Sequence, residues 1–432
     1  MELEIKPADS FQADLEVPGD KSISHRSLIL AGIAPGKSTI NNLLEADDCL
    51  KTLNILKELG VRIERRSPGK YEVKGEGLDG LAEPKDVLDC GNSGTTMRLM
   101  TGLLAGLNFY SVLSGDRSLR SRPMNRVADP LRSMGADIWT RDGGLAPLSV
   151  KGGGLSGIDF EQSIASAQVK SCLLLAGLSA DGKTKIREPA PSRDHTERML
   201  SAAGVDVEVN GGVITLPEGD HRISPLEIEV PGDISSAAFI LGAGLIIPGS
   251  KVTVKKTGIN PTRSGFLDVL KRMNADIDIN NEREIGGEVV ADIHVSADSL
   301  QAVKIEGDII PRMLDEIPIL AVLAARAQGK TVISDAEELR VKETDRLSAM
   351  ADSLNKMGAD IKEKDDGLII NGPTPLRGDV VLDSYHDHRI AMALAVAGLT
   401  ADSSIRITRS EVIANSFPQF IDILKNKIME VE

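Results

Sequence analysis

The chain has 432 residues, 41% of them apolar and 26% charged, with a formal net charge of −14. That length holds two to four domains at roughly 100–200 residues each, and the acidic sum argues against a non-specific grip on DNA, RNA or an anionic membrane. Aromatics are only 3%, with Trp139 the single tryptophan, so the core must be aliphatic and stacking platforms for single-stranded nucleic acid are not expected.

Cys49, Cys90 and Cys172 lie far apart with no CxxC. This excludes a disulfide scaffold and a Cys-rich zinc site, and fits a reducing compartment such as the cytoplasm. The acidic N-terminal stretch has no apolar stretch of a secretory signal, and no apolar run reaches the length of a membrane span.

In chain order, one unit recurs. The pattern Leu-x-x-x-Gly-Ala-Asp-Ile, which ends a helix and begins a strand, stands at residues 131–138. Versions of it occupy 56–63, 200–207, 270–277 and 354–361, with Asn274 in the glycine place of one copy. Gly and Asn both tolerate the left-handed backbone that closes a helix. The leading leucines lie 75, 69, 70 and 84 residues apart, and 70 further on comes Leu424 in a last helical segment. The final unit lacks its strand, which residues 2–5 are expected to supply.

A second pattern, an apolar helix of small residues followed by a Gly turn and a β-branched strand, covers 27–43, 98–114, 171–188, 237–255, 319–334 and 391–408. Helices apolar on nearly all sides, as around Leu28 and Ala391, belong inside a domain. Each unit thus holds two helices and about four strands. Six such units read as an α/β (α+β) protein of two three-unit domains. The VPGD sequences at 17–20 and 230–233 place hinges near 16–21 and 229–233. One domain is then 1–17 plus 231–432, and the other 21–229.

Three segments imitate a phosphate loop, at 31–38, 177–184 and 324–331. A phosphate loop needs strand, loop, helix, so that helix N–H groups face the phosphates. Here the order is helix, loop, strand, which argues against a nucleotide hydrolase. His386 and His388 lack a third ligand at metal-site spacing.

Five clusters dense in Lys, Arg, Ser and acids fall at helix starts. They are GDKSISHR (19–26), DCGNSGTTMR (89–98), DRSLRSRP (116–123), residues 163–170 with SRDH (192–195), and RVKETDR (340–346) with YHDHR (385–389). Lys21, Ser22 and Arg26, aided by a helix N-terminus, suit an anion. The glycines at 91 and 94 let backbone N–H groups approach one closely. If these helix starts converge, they form an electropositive cleft in an acidic protein, fitted to small, multiply charged anions. Asp315 and Glu343 among the bases are the acids suited to proton transfer.

The motifs PGDKSISHR (18–26), GNSGT (91–95), SRPM (121–124), SAQVK (166–170), RVKETDR (340–346) and HDHR (386–389) resemble those of the 5-enolpyruvylshikimate-3-phosphate synthase family over about residues 6–420. The resemblance implies a two-domain inside-out α/β barrel of six βαβαββ units. It also implies transfer of the enolpyruvyl group of phosphoenolpyruvate to the 5-hydroxyl of shikimate 3-phosphate, with no metal and no organic cofactor. Carried over, Lys21 contacts both substrates, and Ser22 and Arg26 hold the shikimate carboxylate side. Ser166, Ala167, Gln168 and Ser192 lie near the 3-phosphate, and Lys342 reaches hydroxyl or phosphate. Gly94, Arg122, Gln168, Arg346 and Arg389 grip phosphoenolpyruvate. Asp315 takes the hydroxyl proton, and Glu343 or Lys21 protonates the methylene carbon.

Asn415 stands where some members carry Lys. Ser166-Ala167 replaces a serine pair, which resembles the second, glyphosate-tolerant class. Lys170 and Arg193 are expected to restore phosphate contacts. The resemblance further implies a cytoplasmic monomer without nucleic-acid or membrane partners. The rival sister, the UDP-N-acetylglucosamine enolpyruvyl transferase, carries a loop Cys that residues 114–123 lack. A non-catalytic anion-binding protein of the same fold is the other alternative.

Overall fold

The computed structural model describes residues 1–429. The repeated pattern folds the same way five times. The helices Asp47–Glu58, Asn125–Ser133, His195–Ala202, Gly265–Arg272 and Arg346–Lys356 are each followed, two residues on, by a left-handed residue. These are Gly60, Gly135, Gly204, Asn274 and Gly358, with φ between +57° and +103°. Next to each, a backbone N–H reaches back to the leading leucine's carbonyl: Val61 to Leu56, Ala136 to Leu131, Val205 to Leu200, Ala275 to Leu270 and Ala359 to Leu354, all at 3.0 Å. This is the Schellman closure, and it satisfies a carbonyl the helix end would orphan. The five leucines are completely buried.

The strands repeat in the same way. In the sheet of Leu88–Asp89, Tyr110–Ser114, Leu145–Lys151 and Asp137–Arg141, the first two run parallel and the rest form an antiparallel meander. The sheets around Thr184–Arg187, Gly329–Ile333 and Gly36–Asn41 have the same order. Two chain segments complete sheets begun far away in sequence. Glu227–Glu229 lies parallel to Gly36–Asn41, and Ser10–Glu16 parallel to Lys251–Gly258. Glu2–Ile5 pairs antiparallel with Ile405–Thr408 and so joins the last unit's sheet, but the expectation that this unit lacks a strand after its helix is corrected, because Phe420–Lys427 runs into Ile428–Met429, which pairs with Ser10–Phe11. The fold class is mixed α/β. The three imitations of a phosphate loop are helix ends that run into strands, at Gly36, after Gly182 and at Gly329.

The chain divides into two compact units. One is Met1–Pro18, Pro231–Glu284 and Val289–Glu432; the other is Gly19–Val230 and Ile285–Glu288. Each has its own aliphatic core. The helices Ile234–Ile246 and His388–Gly398 are buried at every residue, and Lys21–Ile33 from Ile23 onward. Their C-terminal halves are built of Ile, Leu, Val, Ala, Met and Gly, with no polar face to turn outward, and their polar residues, such as Arg26 and Arg389, gather near the N-terminal ends. Where the helices Gly94–Ala105 and Ala167–Gly177 cross, a Cβ on Gly102 would stand 2.2 Å from the Cys172 carbonyl oxygen. Only glycine permits that approach. Among the described residues no helix is long and apolar enough to cross a membrane.

Candidate functional site

The charged clusters are placed by capped helix starts. Asp20 accepts from the Ile23 N–H at 2.8 Å, Ser93 from Thr96 at 3.1 Å, Asp345 from Ser348 at 3.1 Å, and Asp387 from Arg389 at 2.8 Å. Ser166 caps its helix more loosely, accepting from Val169 at 3.4 Å. Such caps contribute about 1 kcal/mol each. They also fix where the residues just after them point.

In the unit containing Gly19–Val230, Lys21 opens its helix and pairs with the Asp48 carboxylate. Arg26 is buried and spends three N–H groups on the protein. Nε donates to Thr196 Oγ1 at 2.6 Å, Nη2 to Ser171 Oγ at 2.7 Å and Nη1 to the Ser22 carbonyl at 2.9 Å. Desolvation pulls its pKa down to about 10. Arg26 therefore ties the Ser22 backbone to the helices Ala167–Gly177 and His195–Ala202. Arg193 Nη1 reaches Ser22 Oγ at 3.3 Å, which brings a residue from the SRDH cluster to the start of the first one.

Gly94 begins the helix Gly94–Ala105 between two guanidinium groups. A Cβ there would lie 3.3 Å from Arg98 Nη1 and 3.5 Å from Arg122 Nη1. Arg122 donates to Asn92 Oδ1 at 2.7 Å and Arg98 donates to Gln168 Oε1. Gln168 Nε2 in turn donates to Thr95 Oγ1 at 2.9 Å. A glycine helix start flanked by two arginine forks is an anion-binding arrangement. Arg98 and Thr95 belong to it although neither was assigned a role from the sequence. The signal was present, since Arg98 follows Gly94 by four residues and so shares its helix face.

The expectation for Lys170 is corrected. Its ammonium is 1% exposed and lies 2.8 Å from Glu188 and 2.7 Å from Glu197. It is an internal ion-pair partner, its charge taken up by two buried carboxylates and not left free for a phosphate. Ser192 Oγ donates to Glu188, so this pair also orients an expected phosphate residue. Arg340 of the RVKETDR motif is structural too, bonded to Asp345, Glu363 and the carbonyls of Lys364 and Asp365.

The other unit gathers Asp315, Lys342, Glu343, Arg346, Asp387 and Arg389. Arg346 is 2% exposed and opens the helix Arg346–Lys356. It donates to Asp387 at 2.7 Å, to Glu343 at 2.7 Å and to Asp315 Oδ1 at 3.1 Å. Burial opposes its charge, but Asp387, Glu343 and Asp315 outweigh that and hold its pKa above the ordinary arginine value. Arg389 Nη1 donates to the Asp315 carbonyl at 3.4 Å, and its Nε lies 3.7 Å from Asp315 Oδ1. Desolvation pulls the Lys342 amine below the ordinary lysine value, with Asp315 opposing. Three cations thus meet three carboxylates, and the acids expected among the bases are ion-paired with them. A buried arginine needs carboxylate partners, and here two of them are the expected proton-transfer acids. Asn415 closes the 3₁₀ stretch Ser410–Asn415.

The fold is that of a two-domain enolpyruvyl transferase. The enolpyruvyl transferase NikO from Streptomyces tendae superposes with a TM-score of 0.80 at 17% identity, covering 99% of this chain and 97% of that one. EPSP synthase from Acinetobacter baumannii superposes with a TM-score of 0.90 at 44% identity, covering 100% and 99%. The sequence model of EPSP synthase (3-phosphoshikimate 1-carboxyvinyltransferase) matches residues 5–424. The 3-phosphoshikimate 1-carboxyvinyltransferase of Citrifermentans bemidjiense is 51% identical over 98% of both chains. That of Gloeothece citriformis is 54% identical over 96% of this chain and 93% of its own. The chain belongs to the EPSP synthase family.

Proposed function

We propose that the residues gathered in these clusters serve the family's reaction, which moves the enolpyruvyl group of phosphoenolpyruvate to the 5-hydroxyl of shikimate 3-phosphate and releases phosphate. The observation that carries the reading is the shared arginine: Asp315 and Glu343 both bind Arg346, at 3.1 and 2.7 Å. The chemistry needs one group to take a proton from the hydroxyl and another to give one to C3 of phosphoenolpyruvate. Protonation at C3 makes C2 cationic. The 5-oxygen bonds to C2 and passes its proton to Asp315. The tetrahedral intermediate then loses a C3 proton and its phosphate, restoring the C2–C3 double bond. Glu343 or Lys21 supplies the C3 proton.

The substrates bring two phosphates and two carboxylates. Gly94, Arg122, Gln168, Arg346 and Arg389 are proposed to hold phosphoenolpyruvate, with Arg98 added from its place beside Gly94. Lys21, Ser22, Arg26, Ser166, Ala167, Gln168, Ser192, Asp315 and Lys342 are proposed to hold shikimate 3-phosphate, and Arg193 joins them through Ser22. Arginine forks suit these oxygens.

The test is phosphate release from the purified protein. It should require both substrates, and UDP-N-acetylglucosamine should not replace shikimate 3-phosphate. Release with the sugar nucleotide, or none with either acceptor, would overturn the reading. We also propose a cytoplasmic monomer of the glyphosate-tolerant class, on the strength of Ser166-Ala167 and three buried free cysteines. Half-inhibition by glyphosate below the KM for phosphoenolpyruvate would sink the class assignment, and a dimer in analytical ultracentrifugation would sink the monomer.

A further inference from the structure

Glu316 has no part in this scheme, yet it is completely buried beside Asp315. It ends the one-turn 3₁₀ stretch Leu314–Glu316 that carries Asp315, and it stands at the start of the helix Ile317–Arg326. Its side chain does not cap that helix. Instead Oε1 accepts from Ser235 Oγ and lies 3.3 Å from Arg263 Nη2. Arg263 Nη2 also donates to Ser235 Oγ at 2.6 Å, so three side chains from three segments close on one another. The second oxygen, Oε2, is buried without a hydrogen-bond partner.

A carboxylate with one unsatisfied oxygen is a poor way to fill an aliphatic core, and an apolar residue of similar volume would often be as stable or more so. What the arrangement does provide is a fixed turn. Arg389 holds the Asp315 carbonyl from one side. Ser235 and Arg263 hold the next side chain from the other. The Glu316 N–H closes the turn on the Met313 carbonyl at 3.0 Å. The Asp315 side chain springs from this turn, so the turn's orientation sets how its carboxylate meets Arg346 at 3.1 Å.

We propose that Glu316 is a positioning residue: through the Ser235–Arg263 clamp it fixes the turn that aims the Asp315 carboxylate. This rests on the reading of Asp315 as the proton acceptor. Glu316 touches no substrate and acts only through its neighbour.

A double-mutant cycle tests it, with Glu316→Gln, Glu316→Leu, Asp315→Ala and the paired variants, all measured for phosphate release and thermal unfolding. Glu316→Leu should lower kcat about tenfold or more, the scale of a misplaced catalytic group. KM for both substrates should stay within about twofold. Glu316→Gln, which keeps an acceptor for Ser235, should lose less. In the Asp315→Ala background neither change should reduce kcat further, because there is no carboxylate left to aim. Equal fold losses in both backgrounds, or unchanged kcat with only a lowered Tm, would overturn the proposal. If Glu316→Leu does not fold, the Glu316→Gln arm carries the same cycle. Failure of the underlying reading shows separately, as Asp315→Ala releasing phosphate at the wild-type rate.

Discussion

Replacing Lys170 by methionine isolates one charge inside the Gly19–Val230 unit. Methionine matches the length of the lysine stem and removes the ammonium. That ammonium is 1% exposed and stands 2.8 and 2.7 Å from two carboxylates, Glu188 and Glu197, which are 4% and 5% exposed. Breaking a buried pair by removing one partner costs about 3–5 kcal/mol, since the other charge is left uncompensated. Here two are left, so the upper part of that range is expected. For a unit of 150–250 residues, about 2–4 °C per kcal/mol turns a loss of about 4–5 kcal/mol into a fall in Tm of roughly 8–20 °C. Urea unfolding followed by Trp139 fluorescence measures it, because the single tryptophan lies in this unit. Burial already raises the Glu197 pKa in the wild type, with Lys170 opposing. Without Lys170 that opposition is gone. A carboxyl whose folded pKa lies above its unfolded value contributes stability at low pH that is lost as pH rises, so the deficit should shrink on acidification. Adding Glu188→Gln and Glu197→Gln should restore most of the loss. A deficit below about 1 kcal/mol, or one those substitutions leave untouched, would refute the ion-pair reasoning.

Three further outcomes follow from the same geometry. His25 is buried and its pKa is lowered well below the ordinary histidine value, by desolvation and by Lys21 and Arg26; the unfolded chain takes a proton near pH 6.5 that the folded one refuses, so stability should fall below that pH by up to about 1.4 kcal/mol per unit. In His25→Gln that slope should vanish from urea titrations between pH 7 and 5, and persistence of the full slope would clear His25 of it. Gly94→Ala sets a methyl 3.3 Å from Arg98 Nη1 and 3.5 Å from Arg122 Nη1, and steady-state kinetics should show the KM for phosphoenolpyruvate raised about tenfold with that for shikimate 3-phosphate barely changed; the reverse pattern would move Gly94 to the other subsite. Arg346→Lys keeps the charge but cannot serve Asp387, Glu343 and Asp315 together, and kcat/KM should drop about 100-fold, whereas near-normal kinetics would show that the shared fork is dispensable.

The repeat was legible because its signal is local. A helix-ending Gly or Asn after a buried leucine fixes one backbone bond, and five copies of that bond recur at the same length. That Glu2–Ile5 serves the last unit as a strand was also readable, but its partner Ile405–Thr408 was not, nor was the short strand Ile428–Met429 that follows the last helix. The helix-start clusters were legible as charge, and the families of motifs named their chemistry. What sequence could not give was which cation faces inward. Lys170 sits in the SAQVK motif and looks like a phosphate ligand, but only the fold brings Glu188 and Glu197 onto it. Arg340 and Arg346 begin and end one heptapeptide, yet the first binds Asp345, Glu363 and the carbonyls of Lys364 and Asp365, away from the expected acids, and the second binds Asp315, Glu343 and Asp387. Those partners lie up to 41 residues away along the chain, beyond the reach of any local pattern.

The central claim is a division of labour between two acids on one arginine, and isotope transfer tests it directly. With wild-type protein in D₂O, deuterium should enter the methylene of the enolpyruvyl product, because the proton added at C3 comes from an exchangeable group. Glu343→Gln should slow that incorporation in step with phosphate release. Asp315→Ala should slow carbon–oxygen bond formation far more than protonation at C3, so deuterium exchange into the methylene of unreacted phosphoenolpyruvate should outrun the residual product. Product formed by Asp315→Ala at the wild-type rate, with the same deuterium content, would contradict the account.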